Sequence, residues 1–166
     1  MAAKNYILDQ AVAEKKLRRM ALEILENNAD EQELIFAGIR DSGSVVAKNI
    51  REIIAELSPE TKTELLALTL DKRAPKEIRI DREMDFNSKV IIVVDDVANS
   101  GKTLLYALKP FLEYQPRKIQ TLVLVERSHK SFPVRPDYVG ISISTTLQEH
   151  IFVEVNETRV LGAYLE

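Results

Sequence analysis

Residues 90–108 read VIIVVDDVANSGKTLLYAL. Two adjacent carboxylates, Asp95 and Asp96, follow an apolar run, and a short polar bend, Asn99-Ser100-Gly101-Lys102-Thr103, comes after them. The bend leads into a helix-like stretch. First-turn amides have no partner inside a helix, and the helix dipole favours an anion beside them. Asn99, Ser100 and Thr103 add side-chain donors, Gly101 allows close backbone approach and Lys102 adds positive charge. Such a cradle suits a phosphate monoester. Asp95 and Asp96 lie too far upstream to share its oxygens. Carboxylates accept hydrogen bonds, so they suit hydroxyls elsewhere on the same ligand. A sugar phosphate satisfies both halves. An Asp pair at a strand end also forms turns and helix caps; the full constellation is what favours a ligand.

Gly-Lys-Thr after a strand also suggests a P-loop. The pattern G-x-x-x-x-G-K-[ST] needs glycine at position 96, where this chain has Asp96. A carboxylate there repels phosphates, so a Walker-type site is rejected.

The elements that must hold these residues follow from periodicity. Residues 9–27 carry Val12, Leu17, Met20, Ala21, Ile24 and Leu25 at helical spacing, with Asp9 as N-cap. Residues 33–39, ELIFAGI, form a buried strand, and 44–57 form a helix stopped by Ser58-Pro59. Residues 64–70 favour a strand, although periodicity alone leaves helix open. The charged stretch 71–89 reads as an exposed loop or short hairpin. Residues 90–96 are the strongest strand, ending in the acid pair. Residues 101–114 read as helix, but an interior proline costs about 3 kcal/mol, so Pro110 predicts a kink or restart. Residues 119–126 and 138–143 are further buried strands, and 150–155 alternates as an edge strand. Strands alternating with helices predict an α/β fold with a mostly parallel sheet, whose ligands bind beyond the carboxyl ends of the strands.

The chain has 166 residues, which suits one domain, and no cysteine, which excludes disulfides and cysteine-based zinc sites. His129 and His150 lack metal-ligand spacing. No apolar leader or membrane-spanning run is present in the sequence, so a soluble cytoplasmic protein is expected. A net charge of −3 gives no global drive toward nucleic acid.

VIIVVDDVANSGKT resembles the phosphoribosyl pyrophosphate (PRPP) motif of type I phosphoribosyltransferases. The resemblance implies that fold, a mostly parallel central sheet flanked by helices with a small hood. It also implies that Asp95 and Asp96 contact the ribose 2- and 3-hydroxyls. Val97, Ala98, Asn99, Ser100, Gly101, Lys102 and Thr103 complete the PRPP-binding segment, with 98–103 on the 5-phosphate. FAGIRDSG (36–43) resembles the family's pyrophosphate loop, which puts Gly38, Ile39, Arg40, Asp41, Ser42 and Gly43 near the leaving group. The likeness extends to the PyrR group, bifunctional pyrimidine-operon regulators and uracil phosphoribosyltransferases, through YILDQ, VLVERSHKSFPVRPDYVG (123–140) and ISTT (143–146).

The implied reaction displaces pyrophosphate from C1 of the ribose by a base nitrogen, uracil in the related group. Mg²⁺ is the implied cofactor, held on the pyrophosphate. Asp95 and Asp96 fix the ribose, and Arg40, with Lys72 or Arg73 from a mobile loop shortened to about 71–85, steadies the leaving group. The base is expected near 125–127 and 138–146. Three departures stand out. Asp41-Ser42-Gly43 replaces Thr-Arg-Gly, which weakens pyrophosphate binding unless Arg40 or a metal compensates. The bend lacks the usual aromatic. Asp71-Lys72 replaces Tyr-Arg.

A second reading is an RNA-binding regulator, with Lys15, Lys16, Arg18 and Arg19 joined to Arg127, His129, Lys130 and Arg135 in one basic patch. Leu22 stands where the group has a histidine. A third is a paralogue that binds PRPP or a nucleotide without turnover. The family also implies a homo-oligomer, to which Tyr6, Leu8 and Leu22 could contribute.

Overall fold

The structure is a computed structural model describing residues 3–146 and 148–166. Met1 and Ala2, part of the N-terminal stretch read above, lie outside these residues. Along the chain the elements are β1 (Asn5–Leu8), α1 (Gln10–Asn27), β2 (Glu33–Ile39), α2 (Ser42–Leu57), β3 (Lys62–Leu70), β4 (Ile78–Ile80), β5 (Val90–Ala98), α3 (Lys102–Ala107), a 3-10 turn (Lys109–Glu113), β6 (Lys118–Arg127), β7 (Tyr138–Ile143), β8 (Ile151–Val155) and β9 (Val160–Leu165).

A six-stranded sheet has the order β4-β3-β2-β5-β6-β7. Its strands are parallel except β4, which pairs antiparallel with β3. Successive residues of a strand face opposite sides, and both sides are covered here. Val90, Ile92 and Val94 of β5 pack with α1 and α2, while Ile91 and Val93 pack with Leu104, Ala107 and Phe111. Burial on both faces explains the unbroken apolar run.

Asp9 caps α1 as expected, its Oδ1 accepting from the Val12 amide at 2.8 Å. The buried stripe runs through Ala13, Leu17, Met20, Ala21 and Ile24. Val12, expected on that stripe, is exposed instead because Ala13 holds the matching turn. α3 ends at Ala107 and the chain restarts as the 3-10 turn containing Pro110, the break expected there.

Two corrections concern the segment 71–89 and the acid pair. The short hairpin forms through β4, but Phe86 is buried, with ring centroids 5.0 Å from Phe111 and 5.2 Å from Tyr114. It closes the second apolar face, which α3 is too short to cover. The acid pair does not end β5 either. Pairing with β2 stops at Gly38–Val94, whereas pairing with β6 continues to Ala98–Glu126. Asp95 and Asp96 therefore sit inside the strand where it has lost one neighbour.

A small antiparallel sheet, β1-β9-β8, lies apart from the large one. The predicted 150–155 edge strand is its edge strand β8. Neither β1 nor β9 is among the elements read from periodicity. Buried Asn49 of α2 fastens this sheet: its Nδ2 donates to Thr158 O at 2.7 Å and its Oδ1 accepts from Val160 N at 3.2 Å. No helix among the described residues is long and apolar enough to cross a membrane.

Candidate active site

From β2 the chain crosses to β3 on one side, and from β5 it crosses to β6 on the other. The carboxyl ends of β2 and β5 thus flank a topological switch point, where the strand connections part and leave a crevice. The residues singled out in the sequence gather there.

Asp95 is 1% exposed. Its Oδ1 accepts from the Asp96 amide at 2.9 Å, and Asp96 Oδ1 accepts from the Val97 amide at 2.8 Å. Lys72 Nζ lies 3.4 Å from Asp95 Oδ1 and 3.7 Å from Asp96 Oδ1. Asp95 Oδ2 is buried without a hydrogen-bond partner. Burial pushes the Asp95 carboxyl well above the ordinary carboxylate range, the charge of Asp96 adds to that, and Lys72 opposes it. Burial works against the Lys72 charge, but the two carboxylates outweigh it and hold the ammonium above its ordinary value.

The loop from β2 into α2 lies against this pair. A Cβ on Gly38 would meet Ser44 Cα at 2.7 Å, and one on Gly43 would stand 3.0 Å from Asp95 Cα. Only glycine lets the start of α2 approach β5 so closely. The Arg40 amide donates to Leu68 O at 2.9 Å, and the Arg40–Asp41 peptide is cis. Both side chains are exposed.

On the other side, Asn99, Ser100 and Gly101 turn the chain into α3. Gly101 has φ +88°, a left-handed conformation that favours glycine. The Ser100 carbonyl accepts from the Ser131 and Phe132 amides, each at 3.0 Å, and Ser100 Oγ accepts from the Lys102 amide at 3.3 Å. A cavity of about 70 Å³ lies between this loop, Asp95 and Lys72.

Toward β6 and β7, Glu126 and Lys130 form a largely buried ion pair. Lys130 also donates to Arg127 O at 3.2 Å. Arg127 donates to Thr146 O at 3.1 Å and Glu149 O at 2.7 Å. Its Nε and the Thr145 Oγ1 are buried without partners.

The acid pair, the bend and the pyrophosphate-loop residues thus meet at one place. Lys72 joins them, beside the acid pair, and Asp71 Oδ1 accepts the Arg73 amide at 2.9 Å in the turn after β3. Arg73 is exposed. The basic patch is partly dismantled: Arg19 pairs with Glu23 and donates to Val139 O and Gly140 O, and Arg127 and Lys130 are engaged as above. Sequence reasoning missed the Glu126–Lys130 pair and the Ser131 and Phe132 amides that brace the bend. The i, i+4 spacing of Glu126 and Lys130 was a signal only if the segment were helical.

The family model of the phosphoribosyl transferase domain matches residues 4–158. The chain belongs to the phosphoribosyltransferase family. Among its relatives, the bifunctional protein PyrR of Bacillus pumilus is 34% identical, covering 95% of this chain and 93% of its own. The pyrimidine operon regulatory protein of Lactococcus lactis is 32% identical, covering 93% and 92%. The fold is that of the type I phosphoribosyltransferases. Hypoxanthine phosphoribosyltransferase of Trypanosoma cruzi superposes with a TM-score of 0.81 at 11% identity, over 98% of this chain and 96% of that one. A Bacillus anthracis hypoxanthine-guanine phosphoribosyltransferase gives 0.73 at 18% identity, over 86% and 84%.

Proposed function

We propose that residues 1–166 act as one phosphoribosyltransferase domain that transfers the ribose 5-phosphate of PRPP to a nucleobase, uracil, and releases pyrophosphate. The observation that carries this reading is the juxtaposition at the end of β5. Asp95, a buried carboxylate whose Oδ2 has no partner, lines a small cavity together with the 98–103 bend. One wall accepts hydrogen bonds and the other donates them, which matches a sugar that carries hydroxyls at one end and a phosphate at the other.

In this reading Asp95 and Asp96 accept the ribose 2- and 3-hydroxyls and lie near the positive charge that grows on the ring as C1 loses pyrophosphate. Fixed carboxylates aimed at a developing charge lower the barrier without reorganising. The bend from Val97 to Thr103 holds the 5-phosphate, with Lys102 as counter-charge. Backbone amides of 39–43 and the guanidinium of Arg40 face the leaving group. Residues 125–127 and 138–146 wall the base.

Mg²⁺ fits as an ion carried on the substrate. Among the described residues no group of three or more His, Cys, Asp or Glu side chains converges, and Mg²⁺ takes phosphate oxygens while keeping several waters. When bound it neutralises the leaving pyrophosphate.

Calorimetric titration with PRPP and Mg²⁺, followed by uracil with pyrophosphate release monitored, tests the reading. Binding and release are expected. Binding that survives Asp95→Asn with Asp96→Asn, and also Thr103→Ala, would remove the site assignment.

The name pyrimidine operon regulatory protein favours a second reading, a regulator of pyrimidine genes, which we take as a nucleotide sensor acting through RNA. The engagement of Arg19, Arg127 and Lys130 inside the fold counts against a broad basic face. Nucleotide-dependent RNA binding with a steep salt slope would favour this reading over the enzyme.

A further inference from the structure

β3 ends at Leu70, and the Asp71 turn delivers the next side chain toward the end of β5. There the Lys72 ammonium stands within 4 Å of one oxygen from each aspartate, at 3.4 and 3.7 Å. An ammonium offers donors to carboxylates, as a vicinal diol does. It does not complete the site, because Asp95 Oδ2 stays buried and unpartnered. Nor does it leave room: the cavity it walls is about 70 Å³, far below the ~300–1,000 Å³ of small-molecule sites. The ammonium therefore stands where sugar hydroxyls would have to reach the acid pair.

We propose that Lys72 is a tethered competitor for the ribose position, a latch that donates to Asp95 and pairs with Asp96 in the free protein and is displaced when the sugar hydroxyls arrive. This rests on the reading of the acid pair as the ribose site. The lysine gives the buried acid pair a counter-cation in the absence of substrate. Its side chain is half exposed, so the ammonium can return to water at small cost. Displacement unties the 71–77 loop from β5, and substrate binding then loosens that loop. A residue that held substrate directly would have the opposite effect on both affinity and loop order.

The test uses ribose 5-phosphate, which has the hydroxyls and the phosphate but no leaving group. Calorimetry compares the full chain with Lys72→Met, and hydrogen exchange follows amides 71–77 of the unaltered protein with and without the sugar. The latch predicts roughly five- to ten-fold tighter binding by Lys72→Met, because a competitor that holds most molecules closed reduces apparent affinity by the open fraction. It also predicts faster exchange in 71–77 on sugar binding. Equal or weaker binding by the variant, or slower exchange in that loop, overturns the latch and leaves the ribose site standing. If neither protein binds ribose 5-phosphate, the ribose reading itself fails and takes the latch with it. The exchange measurement needs no variant, so a folding defect in Lys72→Met does not blunt the test.

Discussion

Gly43 packs so tightly on Val94 that a Cβ there would lie 2.8 Å from the Val94 carbonyl oxygen. The missing side chain sets the distance between the start of α2 and the acid pair. Gly43→Ala must push that loop off β5. Overpacking of this kind costs about 1–3 kcal/mol, and the displaced loop should lower kcat/KM at least ten-fold, since small misplacements at a reacting centre are felt strongly. Thermal melts and steady-state kinetics check both. A variant with lowered Tm and unaltered kinetics would separate the 39–43 loop from catalysis.

Asp95 should trade stability for function. Its carboxyl is pushed up chiefly by burial, so the folded state prefers the protonated form. The stability tied to that proton is fully present below the ordinary carboxylate value of 3.8 and is lost as pH rises through the folded value. Asp95→Asn removes the charge and leaves half-exposed Lys72 to solvent. It should stabilise the protein at neutral pH by on the order of 1 kcal/mol, a Tm gain of about 2–4 °C, while abolishing ribose binding. Melts across pH decide it: the gain should be widest above the raised folded value of Asp95 and fade as pH falls toward the ordinary carboxylate value of 3.8.

Phe86 sits in a charged, proline-containing stretch, yet it closes an apolar face against Phe111 and Tyr114. Phe86→Ala should cost about 3–5 kcal/mol and lower Tm by roughly 10 °C. Denaturant titration would expose an error: a loss of only a few tenths of a kcal/mol would mean the ring is dispensable.

Glu126 and Lys130 are paired with little access to water. Removing one partner leaves a largely buried charge, so Lys130→Met should cost about 3 kcal/mol. Combining it with Glu126→Leu should recover most of that loss. A double-mutant cycle measures the coupling, and additive losses would show that the pair is not a unit.

Much of this was legible in the sequence where neighbours along the chain decide the outcome. β2, β5 and β6 were plain because strands covered on both faces need unbroken apolar runs. α1 was plain from its spacing and from Asp9. The acid pair and the glycine bend were legible as chemistry because few ligands want acceptors and donors so close together. What stayed hidden depends on partners far away in the chain. Phe86 looks like any aromatic in a polar stretch until Phe111 and Tyr114 are brought beside it. Lys72 looks like a solvated loop lysine until the β2–β5 junction places the carboxylates under it. β1 and β9 are short, and β1 is paired only by β9, from the far end of the chain.

Tyr6 pairs with Tyr164 across nearly the whole chain. During synthesis β1 therefore emerges long before the strand that completes it. At roughly 5–20 residues per second, that wait is on the order of ten seconds, spent as an open edge bearing an exposed tyrosine. The large sheet and both faces of its core can assemble in that interval from segments already made. The small sheet can close only after β9 has emerged, and synthesis halted after β7 would leave a built crevice with an unfastened rim.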